Sequence, residues 1–300
     1  MSDPLDDLRL WDSMDVTVLA DRVALLAERL PSGWSFQQLK TYALGGQSHT
    51  IAFFSWDGIP FALIPGSMTT LGYDRGQQLR PDQFVLHEPA YPPDMPHYDL
   101  YLEHLREEEQ YLSQFAELDS YLAAGNIGKP YSRDFLTPLR TVRIAPFLLE
   151  VRSQDSYGTA ATPHQTIQAN IATTGFRLPT SDEWEYACAA GTRSLFRWGN
   201  TCPNDRYPED KYAGDTDDLA PWDEHERPNA FGLYFPANPY HWEVCAEHEI
   251  LRGGDGGSSI CGGNEFFAAW LALASAYAVE WHHSLIFGGR IRRAYTLASL

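Results

Sequence analysis

One short segment, GFRLPTSDEWEYACAAG at residues 175–191, constrains the fold more than any other part of the chain. Thr180 lies three residues before Glu183, the spacing of a capping box, in which a hydroxyl and a carboxylate each pair with a free backbone N–H. Gly191 follows, and glycine commonly ends helices in the left-handed conformation. The segment therefore predicts a short helix over residues 181–190. It carries more aromatic and charged residues than a surface helix requires.

The composition is that of an acidic globular protein. The 300 residues are 44% hydrophobic and 13% aromatic, which is enough for a sizeable core. The formal net charge of -18 repels polyanions, so no nucleic acid partner is expected. The N-terminus is acidic where a secretory signal is basic and then apolar, and the apolar stretch 268–279 is too short to cross a bilayer. We therefore expect a cytoplasmic protein with no membrane partner.

Hydrophobic spacing predicts several regular elements. Residues 14–30 predict an N-terminal helix, and residues 49–66 predict a hairpin around Asp57-Gly58. Residues 97–124 predict an amphipathic acidic helix, whose charge run is better explained as a solvated face than as a partner surface. Residues 139–151 predict a strand that enters the core. The apolar positions of the N-terminal helix are Val18, Leu19, Val23, Leu26 and Leu30.

The second half of the chain is predicted to be poor in regular structure. Residues 199–239 are rich in Gly, Pro, Asn and Asp and predict a long irregular region. Its scattered acids lack the spacing of an EF-hand and are interpreted as solvated loop residues. The expected organisation is an N-terminal helical extension over 1–48 and a main domain over 49–300.

Three separated blocks resemble the formylglycine-generating enzyme family, also called the sulfatase-modifying factor family. They occur in family order across about residues 50–295. The resemblance implies an α+β protein with a C-type-lectin-like fold of small twisted sheets, few helices and much irregular loop. It also implies that Arg177, Trp184 and Glu185 fix the short helix to neighbouring loops, and that the acidic helical segment at about 81–138 is an insertion. The blocks are GFRLPTSDEWEYACAAGTRSLFRWGN at 175–200, PNAFGLY at 228–234 followed by Trp242-Glu243, and LRGGDGG at 251–257 with SAY at 275–277 and GGRI at 288–291.

The resemblance does not extend to the family's copper site. Family oxidases bind copper(I) with two cysteines five residues apart, because this soft ion favours thiolates. If GGS at 256–258 is aligned with the family Gly-Gly-Ser, Cys261 takes the first position and Phe266 the second. If GGD at 253–255 is aligned, the positions hold Ser258 and Gly263. The chain is therefore predicted to be a divergent member without the paired cysteines, and copper is not expected.

The family's calcium-binding segment corresponds here to ANPYHWEV at residues 237–244. Asn238 and Glu243 are retained and offer the hard oxygen donors that calcium prefers. The resemblance therefore makes these two residues candidate calcium ligands. A dry loop anchored by its aromatic residues is the simpler interpretation of the same segment.

The glycine-rich segment 256–283 corresponds to the concave face on which family members hold substrate peptides. Aromatic anchors dominate binding in such grooves, although these aromatics could equally fill the core. Asp255 and Cys261 lie at the mouth of this segment and are the candidate catalytic residues if any catalysis remains. The predicted ligand-binding residues are Phe266, Trp270, Tyr277, Trp281 and Arg252.

Together these features predict a divergent family member that binds a peptide, protein or small-molecule ligand without copper oxidation. The alternative is a metal-dependent oxidoreductase or thiol enzyme of the formylglycine-generating type that uses Cys261. The sequence leaves open whether the protein is an enzyme. The resemblance relates it to members in bacterial conflict and signalling systems, including toxin-neutralising immunity proteins, and the charge of -18 favours a basic partner.

Overall fold

The computed structural model describes residues 3–73, 135–155, 162–203, 206–210, 222–261, 266–280, 285–286 and 289–297. Within these ranges the chain is a mixed α+β protein with short helices and several small sheets. No helix in this part of the chain is both long and apolar enough to span a membrane.

The helices are α1 (Leu8–Asp12), α2 (Val16–Arg29), α3 (His164–Ala172), α4 (Ser181–Ala189), α5 (Ser258–Cys261) and α6 (Phe266–Leu271). The strands are β1 (Trp34–Leu44), β2 (Gln47–Trp56), β3 (Ile59–Ile64), β4 (Ser67–Leu71), β5 (Arg140–Ile144), β6 (Phe147–Glu150), β7 (Gln154–Asp155), β8 (Thr162–Pro163), β9 (Glu243–Val244), β10 (Ile250–Arg252), β11 (Ala278–Glu280), β12 (Leu285–Ile286), β13 (Arg290–Ile291) and β14 (Ala294–Thr296).

A five-stranded sheet in the order β1-β2-β3-β6-β14 forms one side of the core. The hairpin predicted at Asp57-Gly58 is confirmed as the connection between β2 and β3. Both turn residues have positive φ, 51° and 78°, as a type I′ turn requires. This turn fixes the register that places Phe53 opposite Ala62 and Phe54 opposite Phe61 in the sheet.

The predicted N-terminal helix is confirmed as α2, which buries Leu19, Val23 and Leu26 against the sheet. Val18, another apolar residue of the predicted helix, is 47% exposed. It lies about 100° around the helix from its neighbour Leu19, which faces the core. The segment 1–48 also supplies β1, which pairs with β2 along most of its length. The extension is therefore helical only in its first part, and the domain division at residue 48 stays a prediction.

The strand predicted over residues 139–151 forms as two strands. β5 ends at Ile144 and β6 begins at Phe147. The break contains Pro146, which has no N–H to donate to a strand ladder. β5 pairs with β4 in a two-stranded ribbon, whereas β6 enters the five-stranded sheet between β3 and β14.

A second five-stranded sheet, in the order β11-β10-β9-β13-β7, lies in the second half of the chain. The described residues of 199–239 contain no helix or strand apart from the 3-10 turn Glu224–Glu226, so the predicted irregular region is confirmed there. Asn229 fixes this region to α4. Its Nδ2 donates to the carbonyl oxygens of Ala187 (2.6 Å) and Cys188 (3.0 Å), and its Oδ1 accepts from two backbone N–H groups of the following loop.

The capping box predicted at the start of α4 is confirmed. Thr180 Oγ1 accepts from the N–H of Glu183 at 3.1 Å, and Glu183 Oε2 accepts from the N–H of Thr180 at 2.8 Å. The helix ends in Ala190, which is left-handed with φ 46°. Arg177 donates to both oxygens of Glu183, at 2.6 and 2.7 Å, so its structural role is confirmed.

Glu185, on the buried face of α4, joins four separate parts of the chain. Its Oε2 accepts hydrogen bonds from Thr137 Oγ1 (2.8 Å), Arg140 Nη2 (2.9 Å) and Arg252 Nη2 (2.8 Å). Its Oε1 accepts from the N–H of Gly72. Burial acts to raise the pKa of Glu185, but the charges of Arg252 and Arg140 outweigh it, and the pKa lies below its ordinary value.

These contacts bring together the residues on either side of the stretch 74–134, and we call the point where they meet the base of that stretch. The N–H of Tyr73 donates to the carbonyl oxygen of Thr137 at 2.8 Å, so the two ends of that stretch meet at one point of the domain. Leu136 is fully buried. The last residues of the insertion predicted at about 81–138 thus belong to this base. The acidic helix predicted over 97–124 lies outside the described residues.

The closed base leads to a prediction about residues 76–132. We expect a variant in which a short Gly/Ser linker replaces them to fold with an unchanged or slightly higher Tm, because fewer residues between the two fixed ends cost less entropy when those ends are brought together. Circular dichroism and thermal unfolding of both proteins test this. The matched control is Thr137→Val in the shortened chain, which removes the side-chain hydrogen bonds of Thr137 to Glu185 and Ala276 and should lower the Tm. A shortened chain that is unfolded would contradict the prediction.

Glu185 leads to a second prediction. Glu185→Gln leaves Arg252 without its buried carboxylate and should lower the free energy of unfolding by about 3–5 kcal/mol. Because the folded-state pKa of Glu185 is depressed, its contribution is present above the ordinary glutamate pKa and is lost as the pH falls through the folded value. The free energies of unfolding of wild type and variant, measured with urea, should therefore approach each other as the pH falls from neutral to acidic. The control is Glu224→Gln, which removes an exposed ion pair with Arg227 and should lower the free energy of unfolding by about 0–1 kcal/mol. An equal loss in both variants would argue against the structural role of the buried Glu185.

Candidate functional site

The loop between β10 and α5, residues 253–257, is shaped by its glycines. Gly256 and Gly257 have φ of 69° and 83°, a conformation that other residues rarely adopt. The ring of Tyr240 packs against Gly257 so closely that a Cβ there would lie 2.1 Å from the ring. The glycines of this loop therefore allow the segment 237–244 to lie directly on it.

Asp255, a predicted catalytic residue, is buried within this loop. Its Oδ1 accepts from the N–H of Gly257 and its Oδ2 from the N–H of Ser259, both at 2.9 Å. Burial raises the pKa of Asp255, although these hydrogen bonds act in the opposite direction. Because both oxygens hold backbone groups at the start of α5, the geometry favours a role in positioning that turn.

Cys261, the other predicted catalytic residue, lies at the end of α5 and is exposed. Its Sγ is 3.1 Å from the hydroxyl oxygen of Tyr240, whose side chain is 41% exposed. This hydrogen bond is the main reason that the pKa of Tyr240 rises to about 12, and the charges of Glu209 and Asp255 add to the effect. We call the surface formed by Tyr240, Gly257 and Cys261, with Glu209 near it, the tyrosine–cysteine face.

Sequence reasoning did not identify Tyr240 as a site residue. The available signal was its position in ANPYHWEV, where a tyrosine intrudes on the family pattern. The backbone there turns because Asn238 Oδ1 accepts from the N–H of Tyr240 at 2.9 Å. This local turn places the phenol beside the thiol, a contact between residues 21 positions apart that sequence spacing does not encode.

Of the predicted ligand-binding residues that the structure describes, three are buried and one is partly buried. Arg252, Trp270 and Tyr277 are each at most 2% exposed. Arg252 pairs with Glu185 and with Ser181 Oγ, and Trp270 Nε1 donates to the carbonyl oxygen of Arg206 at 2.9 Å. Phe266 is partly buried and packs edge-on against Tyr207, with ring centroids 4.6 Å apart. Trp281 lies outside the described residues.

The candidate calcium ligands hold other groups. Glu243 is fully buried, and its oxygens accept from Arg292 (2.7 and 2.9 Å) and from Trp184 Nε1 (2.8 Å). Burial acts to raise the pKa of Glu243, but the adjacent Arg292 lowers it below the ordinary value. Calcium takes six to eight oxygen ligands, whereas this carboxylate is already neutralised by an arginine. Asn238 and Glu243 therefore do not fit a calcium site in this arrangement.

The cysteines do not fit a two-thiolate copper site. Cys188, Cys202 and Cys245 are at most 1% exposed, whereas Cys261 is exposed. Burial raises the pKa of all three buried thiols, which disfavours the thiolates that copper(I) needs. Within the described ranges, no three His, Cys, Asp or Glu side chains come together as metal ligands.

The comparisons with known proteins identify the family. No curated protein matches the chain. Residues 120–268, about half of the chain, match the family model of the sulfatase-modifying factor enzyme 1-like domain. This match begins later and ends earlier than the stretch 50–295 that carries the sequence resemblance. It includes α4 with its capping box, the loop anchored by Asn229, and the tyrosine–cysteine face. The chain belongs to the sulfatase-modifying factor family.

Proposed function

We propose that this protein is a ligand-binding member of the family that has lost the copper-dependent oxidation, and that its fold is the C-type-lectin-like fold of that family. One observation carries the proposal: the exposed thiol of Cys261 is paired with a phenol, while the other three cysteines are buried. A single accessible sulfur cannot supply the matched pair of thiolates that copper(I) requires. Recognition without redox chemistry is then the function that the remaining groups support.

The tyrosine–cysteine face favours a basic ligand. The exposed ring of Tyr240 offers a π surface for a guanidinium or ammonium group. Glu209, whose charge acts on Tyr240, and its neighbour Asp210 are both exposed and add negative charge. Partial desolvation and the charges of Asp210 and Asp255 raise the pKa of Glu209. The ligand class that we propose is therefore a peptide or protein segment rich in Arg or Lys. The net charge of -18 would speed its association.

A thiol enzyme that uses Cys261 is the second candidate. Its support is the exposure of this thiol and its contact with Tyr240, a group that can exchange a proton. Asp255, the other predicted catalytic residue, argues against this function, because both of its carboxylate oxygens accept hydrogen bonds from backbone N–H groups. With no general base placed at the sulfur by the described residues, binding is the better supported of the two functions.

The loss of copper chemistry gives a prediction under anaerobic, reducing conditions. Copper(I) titration against a competing chelator should detect no one-equivalent, high-affinity site, and sulfur-edge spectra should show no two-thiolate ligation. Cys261→Ser should then bind copper as the wild type does. The matched control is Cys202→Ala, which alters a buried thiol. A stoichiometric site that disappears in Cys261→Ser and persists in Cys202→Ala would overturn the proposal.

The proposed ligand class gives a separate prediction. A fluorescein-labelled peptide of alternating Arg and Gly should bind, its Glu/Gly counterpart should not, and added salt should weaken the complex. Tyr240→Ala should raise the Kd about two- to fivefold, as expected for losing a cation–π contact of about 0.5–1 kcal/mol. The control is Phe36→Ala, another exposed aromatic residue, on β1. Equal effects of the two substitutions, or no binding of the basic peptide, would refute this face as the binding site.

A further inference from the structure

His49, on β2, touches two elements that are distant in the chain. Its side chain is 5% exposed. Nδ1 lies 2.9 Å from Asp12 Oδ2, at the end of α1, and Nε2 lies 3.1 Å from the carbonyl oxygen of Ala190, just after α4. The imidazole ring therefore stands between the N-terminal segment and the C-terminal end of the capping-box helix.

Both of these partners are hydrogen-bond acceptors. A backbone carbonyl has no proton to give, and an ionised carboxylate accepts only. A neutral imidazole has one N–H and one bare lone pair, so either neutral tautomer would turn a lone pair towards an oxygen. Only the doubly protonated ring can donate to Asp12 and to Ala190 at once.

The surroundings of the ring suit a cation. Among the described residues, Asp12 is the one charged group within hydrogen-bonding distance of His49. The loop after Asn229 contributes the ring of Phe231, 5.1 Å away between centroids, and the amide of Gln47 lies close to Gly191 beside the ring. On β1 the titratable residue Tyr42 is paired directly with His49 in the ladder. From α4 the titratable group is Tyr186, which packs on the other side of Phe231, and its pKa is raised by burial and by the charges of Asp12 and Asp7. The C-terminal end of a helix also favours a positive charge.

We propose that His49 is held as an imidazolium cation and that its second proton links α1 to the C-terminal end of α4. In the folded state both ring protons are then held in hydrogen bonds, one to Asp12 and one to the carbonyl oxygen of Ala190. The contribution of this link to the free energy of unfolding is therefore present at low pH and is lost as the pH rises. The link is a proton-dependent attachment of the N-terminal segment, separate from the tyrosine–cysteine face.

The structure contains a matched internal comparison, His225. This residue is also buried, and its Nε2 donates to the carbonyl oxygen of Pro208 at 2.9 Å, while Nδ1 has no hydrogen-bond partner among the residues that the structure describes. Burial lowers the pKa of His225 to about 4. At neutral pH the His225 ring is thus expected to carry one proton, in contrast to the doubly protonated ring proposed for His49.

The test uses nitrogen-15 NMR of the histidine rings, assigned with His49→Gln and His225→Gln. At pH 7 the His49 ring should give two protonated nitrogens and the His225 ring one. Asp12→Asn is the key variant, because an amide can donate to Nδ1 of a neutral ring that still donates to Ala190. In this variant the His49 ring should be neutral at pH 7 while the protein stays folded.

A double-mutant cycle between Asp12→Asn and His49→Gln, measured by urea unfolding from pH 5.5 to 9, provides a second readout. The coupling between the two side chains should be favourable at pH 5.5 and should decline as the pH rises. A neutral His49 ring at pH 7 in the wild type, or a coupling that does not change with pH, would overturn the proposal. If His49→Gln fails to fold, the ring spectra of wild type and Asp12→Asn still decide.

Discussion

The arrangement of the domain depends on one buried carboxylate, Glu185. It receives two guanidinium groups, a hydroxyl and a backbone N–H, so segments far apart in sequence are held at a single point on α4. A carboxylate in this position is unfavourable unless it is paired, and Arg252 and Arg140 provide that pairing. The same contact fixes the end of β10, and the glycine loop that carries Asp255 begins at the next residue. The position of the candidate site is thus set from within the domain.

The glycine loop at residues 253–257 presents a different set of side chains from the family's copper site. In the family pattern the glycine loop leads into a pair of cysteines, whereas here it packs beneath the ring of Tyr240 and leads to one exposed thiol. The loop keeps its glycines because the ring approaches Gly257 too closely for any Cβ. The backbone of this loop is therefore constrained by the packing of Tyr240, whereas its chemistry depends on the side chains that it presents. This is consistent with the general rule that function belongs to sites placed on a fold.

The parts of the structure that could be predicted from sequence are those with local causes. The capping box at Thr180 and Glu183 and the turn at Asp57-Gly58 both depend on residues a few positions apart. The break between β5 and β6 also had a local signal, Pro146, but the continuous apolar run around this proline favoured a single strand. The site was less predictable, because burial of Trp270 and Tyr277 is decided by distant partners such as Phe135, which stacks on Tyr277 at 5.5 Å. For the same reason spacing did not show that Glu243 would meet Arg292.

The described buried apolar residues form two clusters, one around the sheet β1-β2-β3-β6-β14 and one around Trp198, Trp270 and Tyr277. Val279 packs against both clusters, and Arg252 links them as well, since it donates to Glu185 on α4 and to the carbonyl oxygen of Tyr277. Cooperative units of a domain open with different free energies. Amide hydrogen exchange should consequently resolve two levels of protection in this domain. The difference between them would measure how strongly links such as Arg252 couple the opening of the two clusters.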